Sequence, residues 1–432
     1  MPLASSSRFA TDGLDQMGSG LGSLGAFGEQ NSYENIAKFG VQGAAFELLQ
    51  PISMRSSPLI FGMAIEKKHL EKFWVWLERD GAPEYIGQLK EKILKDPKKA
   101  DQLIAMAFKE LVKPLQDQLE AAHASSEFQR RLTIQLGGFD VFEAFPLIIT
   151  AFKNIDKLRA AKDLAAHVKQ YETEEEFSDL VEAIELPSGS VQKLWCTAFV
   201  YHMAWPGKFM LGVLDHCFGD TESAVRKSGY GPYGDAMIIN LQQLVDTIEE
   251  QAGVFSDIDL MCLAIDRYHR IARVMHYYLE LGKTSQWNHC LEVLTSRVSK
   301  VLEKRLSQVV PNVTNVLRTP TQNAQILFTT DKVLQAYNSV YLLDAARNAK
   351  ESLAVNNVVE RTWNELGKSL EILLERALED QKAAAFGDSL AIAKVDIAIK
   401  LCAIRFGAEY AQIMSKNKDN IERRKLNNSV SQ

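Results

Sequence analysis

From the thirties to beyond residue 400, apolar residues recur at intervals of three and four, interrupted by short segments carrying Gly, Pro, Asn or Ser. That spacing gathers apolar side chains into one stripe along a helix, whereas a half-buried strand would alternate them. Each such helix has to bury its stripe against another helix. The pattern therefore predicts an all-α protein, a multi-helix bundle or irregular helical-repeat array in two packed regions, 33–254 and 255–415. A flexible Gly/Ser-rich arm at 1–32 and a polar tail at 416–432 are expected to flank them. Only KVDIAIKL at 394–401 alternates, and its Ala-rich flanks favour a helix buried on most sides.

Local signals place several helix ends. His69–Arg79 should stop at Asp80-Gly81, and Asp96-Pro97 supplies a cap and first-turn proline for the next helix. Thr173 followed by Glu176 is a capping-box pattern, with Phe177, Leu180, Val181 and Ile184 as the apolar face behind it. SGYGPYGD at 228–235 and VVPNVTNVLRTPTQN at 309–323 read as separators. Lysines and an arginine crowd residues 153–169 and acidic residues crowd 172–185, so two antiparallel helices with compensating faces are expected there. Two tracts, SQWNHCLEVLTSRVSKVLEKRL at 285–306 and RTWNELGKSLEILLERAL at 361–378, share a Trp-Asn opening and read as similar amphipathic helices.

The most apolar passage, AFVYHMAWPGKFMLGVLDHCFGD at 198–220, invites three readings: a membrane span, a metal site or a core. A span needs about 20 continuous apolar residues, and Pro206-Gly207-Lys208 interrupts this run. Adjacent Asp215 and His216 would point in different directions on a helix, with His202 beyond the break, so no metal is expected. What remains is a buried helical hairpin.

With 432 residues, 46% hydrophobic and 24% charged, the chain can bury a large core, and a formal net charge of -6 argues against a uniformly basic nucleic-acid surface. The five cysteines include no CxxC pair and read as free thiols of a reducing, cytoplasmic compartment. Gly282-Lys283-Thr284 and Gly367-Lys368-Ser369 are phosphate-loop fragments without the earlier glycine, since Tyr277 and Thr362 stand there. No catalytic motif, cofactor or membrane span is expected.

One helix face concentrates chemistry. Between 257 and 281, helical spacing aligns Asp266, His269, Arg270, Arg273 and His276 on one side, with Ile265, Tyr268, Ile271, Ala272 and Met275 toward the other. Asp266 can pair with Arg270 one turn on, and two arginines can hold an acidic helix, a carboxylate or a phosphate. The expected function is a non-enzymatic intracellular helical scaffold or adaptor that binds a protein partner through this face and self-assembles as a homo-oligomer. One alternative is a nucleoprotein-like subunit holding nucleic acid in a groove between two helical lobes. Another is a helical metal-dependent enzyme acting on an apolar substrate, with Asp215, Asp220 and Glu222 as its ligands.

Overall fold

The computed structural model describes residues 32–253, 257–318 and 330–430, so the arm expected at 1–32 lies outside it except for Ser32. The protein is all-α, as the periodicity predicts; strand among the described residues is confined to the two-residue segments Ser53–Met54 and Ile65–Glu66. The chain divides into two compact units, Met1–Ser53 with Gly62–Asp215, and Met54–Phe61 with His216–Gln432. The boundary expected near 254 therefore falls inside the second unit.

The first unit runs α1 (Ser32–Leu49), α2 (Lys67–Trp76), α3 (Pro83–Lys95), α4 (Ala100–Ala124), α5 (Ser126–Leu136), α6 (Phe139–Lys153), α7 (Ile155–His167), α8 (Glu174–Ala183), α9 (Val191–His202) and α10 (Pro206–Asp215). Aromatic side chains join its inner helices. Phe108 of α4 stacks on Phe152 of α6 at 3.9 Å, and Phe73 and Trp76 of α2 meet Phe145 edge-on at 5.1 and 5.5 Å. Offset and edge-to-face pairs of this kind add about 0.5–1.5 kcal/mol each to the area they bury.

The 198–220 passage is a hairpin in this unit as far as Asp215. Pro206 opens α10, where its missing N–H forfeits no helical hydrogen bond. Phe199 packs edge-on against Phe209 at 5.4 Å, and Thr197 donates to the Met63 carbonyl at 2.8 Å. A Cβ on Gly212 would lie 2.8 Å from the Phe177 backbone, so a glycine is needed where α10 crosses α8. No single helix among the described residues is long and apolar enough to cross a membrane; α5 and α6 reach that length and composition only together, across a 92° bend.

The second unit runs α11 (Glu222–Lys227), α12 (Gly231–Glu250), α13 (Ile258–Tyr277), α14 (Gln286–Leu306), α15 (Val309–Leu317), α16 (Thr330–Asn348), α17 (Lys350–Leu353), α18 (Asn356–Ala383), α19 (Ser389–Phe406) and α20 (Ala408–Val430). Helix α12 is buried along nearly its whole length and packs on α13 and α14. Its polar residues draw in the early segment Met54–Phe61. Asp246 accepts from the Arg55 and Ser56 amides at 3.1 and 2.8 Å, while Gln242 accepts from the Leu59 amide at 2.9 Å and donates to Ser57 O at 2.7 Å. Arg297 of α14 closes the arrangement on Asp246 at 2.8 Å and Glu249 at 2.7 Å.

Several local expectations hold and others are corrected. The Thr173 capping box forms, with the Glu176 amide donating to the Thr173 hydroxyl at 3.3 Å and the Thr173 amide to the Glu176 carboxylate at 2.9 Å. Residues 394–401 are helical, within α19. The basic and acidic tracts do not form a mutual pair: α7 packs chiefly on α9 and α8 on α10, because their apolar faces find larger apolar partners there. Residues 309–317 of the second separator are helix α15, which accepts Pro311 because it lies in the first turn; residues 319–323 lie outside the described range. The tail from 416 is likewise helical to Val430, as part of α20, since its Glu, Arg, Lys and Leu residues are good helix formers.

Gly234 sets the spacing of α12 and α14. A Cβ there would lie 2.3 Å from the Trp287 ring, which is fully buried. Gly234→Ala should therefore destabilise the second unit by roughly 1–3 kcal/mol, as overpacking does, although alanine is the better helix former. Chemical denaturation followed by Trp emission measures this, and a midpoint equal to or above that of the wild type would show that α12 and α14 part freely.

Candidate functional site

Helix α13 begins at Asp257, whose carboxylate accepts from the Leu260 amide at 3.0 Å. Its apolar stripe is buried as the spacing predicts, with Ile265, Tyr268, Ile271, Ala272 and Met275 all at 0–1% exposure. The ionisable side divides into three parts. Asp266 and Arg270 form an ion pair one turn apart. His269 turns toward α17, where its Nδ1 lies 2.9 Å from the Ser352 hydroxyl. Arg273 lies with its guanidinium carbon 5.5 Å from the Tyr277 ring centroid, and Tyr277 is 67% exposed. His276, beside it, is also exposed.

Electrostatics separates these groups further. Burial lowers the His269 pKa, the neighbouring Arg273 charge lowers it again, and Asp266 only partly offsets both. The imidazole is thus a neutral hydrogen-bonding group at pH 7. His276 is shifted in the same direction by the protein atoms beside its ring, although much of the side chain meets solvent. Among the described residues, Arg273 makes no ion pair. The five residues picked out by helical spacing therefore share one helix, and of these Arg273 and His276 make no hydrogen bond or ion pair among the described residues.

Two features of this unit escaped the periodicity. Arg267, on the apolar side of α13, is 3% exposed and donates from Nε to Asn240 of α12 at 3.0 Å. Nothing in a single sequence distinguishes such a buried arginine from a solvated one. The second feature is a charge latch around α11. Arg226 donates to Glu222 at 2.8 Å and to Asp235 at 2.6 Å, its guanidinium carbon lies 5.0 Å from the Trp287 ring centroid, and Trp287 Nε1 donates to Asp235 at 2.8 Å. Glu222 also accepts from the Ser285 hydroxyl at 2.6 Å and the Trp287 amide at 3.2 Å, so it acts as the anion at the N-terminus of α14. Burial raises its pKa, but these donors outweigh burial and hold the carboxyl below its usual range.

The latch forms one wall of an open recess of about 950 Å³, whose rim includes Lys227, Glu280 and Gln286. Because Glu222 and Arg226 satisfy each other and their neighbours, the recess wall is structural. Among the described residues no three His, Cys, Asp or Glu side chains come together as a metal ligand set. Glu222, one of the three candidate metal ligands, is instead held by protein donors. Comparisons with protein families, with curated proteins and with solved structures found no match to this chain.

The His269 shift has a definite pH consequence. A folded pKa below the ordinary 6.5 means that the unfolded chain binds protons more readily, so the stabilisation is complete above about 6.5 and is lost as pH falls toward the depressed folded value. His269→Gln should flatten the loss of stability between pH 7.5 and 5.5, leaving the slope that comes from His276 and the acidic groups. Urea midpoints at three pH values in that interval measure the slopes; parallel slopes for both proteins would place His269 outside the titration.

Proposed function

We propose that this chain is a helical interaction protein of scaffold or adaptor type that receives an acidic segment of a protein partner on the outward side of α13. The observation that carries this is Arg273: it makes no ion pair among the described residues, whereas Arg270, one turn earlier, is matched by Asp266. Its guanidinium rests on an exposed phenol ring, which orients the planar fork while leaving donors for a carboxylate. His276 adds a second donor beside it. An overall charge of -6 favours an acidic protein segment, met by a local cation, over the extended phosphate backbone of nucleic acid. None of the five cysteines forms a disulfide in the structure, which favours a reducing compartment.

Poly-L-glutamate serves as the probe, with a single-stranded oligonucleotide of equal charge as the competing ligand. The wild type should bind poly-L-glutamate in a salt-sensitive manner, and Arg273→Gln should weaken that binding roughly threefold to tenfold with little change in unfolding midpoint. Arg270→Gln should have the smaller effect on binding, because that charge is already paired. Preference for the oligonucleotide, or equal poly-L-glutamate affinity for wild type and Arg273→Gln, would overturn the assignment.

A further inference from the structure

The two Trp-Asn tracts carry the same device in two states of charge balance. In the first, Trp287 lies against Gly234 and carries the Arg226 guanidinium, which Glu222 and Asp235 neutralise. In the second, Trp363 carries two guanidiniums: Arg347 from the last turn of α16, 4.7 Å from the ring centroid, and Arg405 from the last turn of α19, 4.5 Å from it. Gly367, one turn beyond Trp363 on α18, makes room for Arg405, since a Cβ there would lie 3.0 Å from Nη2. Glycine within a helix is less favourable than alanine, and here the space it leaves is taken by the guanidinium.

The second device lacks the closing carboxylates of the first. Arg405 Nε donates to the Trp363 carbonyl at 3.1 Å, and among the described residues neither Arg347 nor Arg405 makes an ion pair. Glu360, the acidic neighbour on α18, is held by Lys350 at 2.6 Å. Burial and the Arg347 charge both lower the Arg405 pKa, the Glu371 and Glu360 charges offset them in part, and Asp344 lies within the field of Arg347. Helix C-termini attract cations, which accounts for one arginine at each helix end; it does not account for two converging on one indole. Arg347 is exposed and Arg405 half-buried, the latter guanidinium also lying 4.9 Å from the Phe406 ring centroid.

We propose that Arg347 and Arg405, seated on Trp363 and Gly367, form a binding site for a phosphoryl group. Such a group carries about -1.5 to -2 charges at pH 7 and three acceptor oxygens, enough to engage both forks, whereas one carboxylate matches a single fork. The site is independent of the α13 face and of the occupant assigned to it.

Calorimetry on the full-length chain tests it, with inorganic phosphate and phenyl phosphate as probes at constant ionic strength made up with chloride. The wild type should bind at least one probe, and Arg347→Gln and Arg405→Gln should each weaken binding at least tenfold. Lys368→Gln, an exposed charge on the same helix, should leave it unchanged. Tighter binding of phenyl phosphate points to a phosphoryl ester as the occupant, and equal or tighter binding of inorganic phosphate to the free ion. If Arg405→Gln does not fold, Arg347→Gln, at an exposed position, decides the matter. Absence of binding to the wild type, retention of binding in Arg347→Gln, or an equal loss in Lys368→Gln would overturn the site.

Discussion

Burial of α12 sets the terms for the second unit. The helix takes Asp235, Asn240, Gln242 and Asp246 inside with its apolar residues, each at 5% exposure or less. Buried carboxylates and amides are destabilising unless every one finds partners, and the penalty for an unpaired buried charge is several kcal/mol. The partners come from far along the chain: the amides of Arg55 and Ser56, the guanidiniums of Arg226 and Arg297, and the indole N–H of Trp287. Folding this unit therefore requires the early segment Met54–Phe61 to be in place, which gives the unit a long-range cooperativity that a simple up-and-down array of hairpins would lack.

The same unit uses arginine in three ways. Arg226 and Arg297 are closed by paired carboxylates and hold helices together. Arg270 is balanced within its own helix by Asp266. Arg273, Arg347 and Arg405 lie beside aromatic rings and make no ion pair among the described residues. An aromatic face orients a guanidinium without neutralising it, so this last arrangement keeps a cation positioned and still electrostatically available.

The helical architecture, the break at Pro206, the Thr173 capping box and the stripe on α13 were all legible in the sequence, because each depends on residues within a few positions of one another. Helical spacing also identified Asp266, His269, Arg270, Arg273 and His276 as one face, but it could not rank them. Whether Arg273 or Arg270 is engaged, and whether His269 meets solvent or Ser352, depends on which helix packs alongside. The tail and the 309–317 segment show the opposite failing: turn-forming residues and polarity suggested non-helical chain, while first-turn tolerance of proline and the helix propensity of charged residues allowed α15 and α20.

Local spacing by itself determined that this protein is made of helices, where a few of them begin or end, and which stripe of α13 is apolar, since periodicity and capping act over one or two turns. Tertiary structure alone decided the unit boundary at Asp215, the capture of Met54–Phe61 by α12, and the convergence of Arg347 and Arg405 on Trp363. Those features join residues tens to nearly two hundred positions apart. Their partners are selected by shape and by the need to satisfy buried charge, neither of which leaves a periodic trace in the sequence.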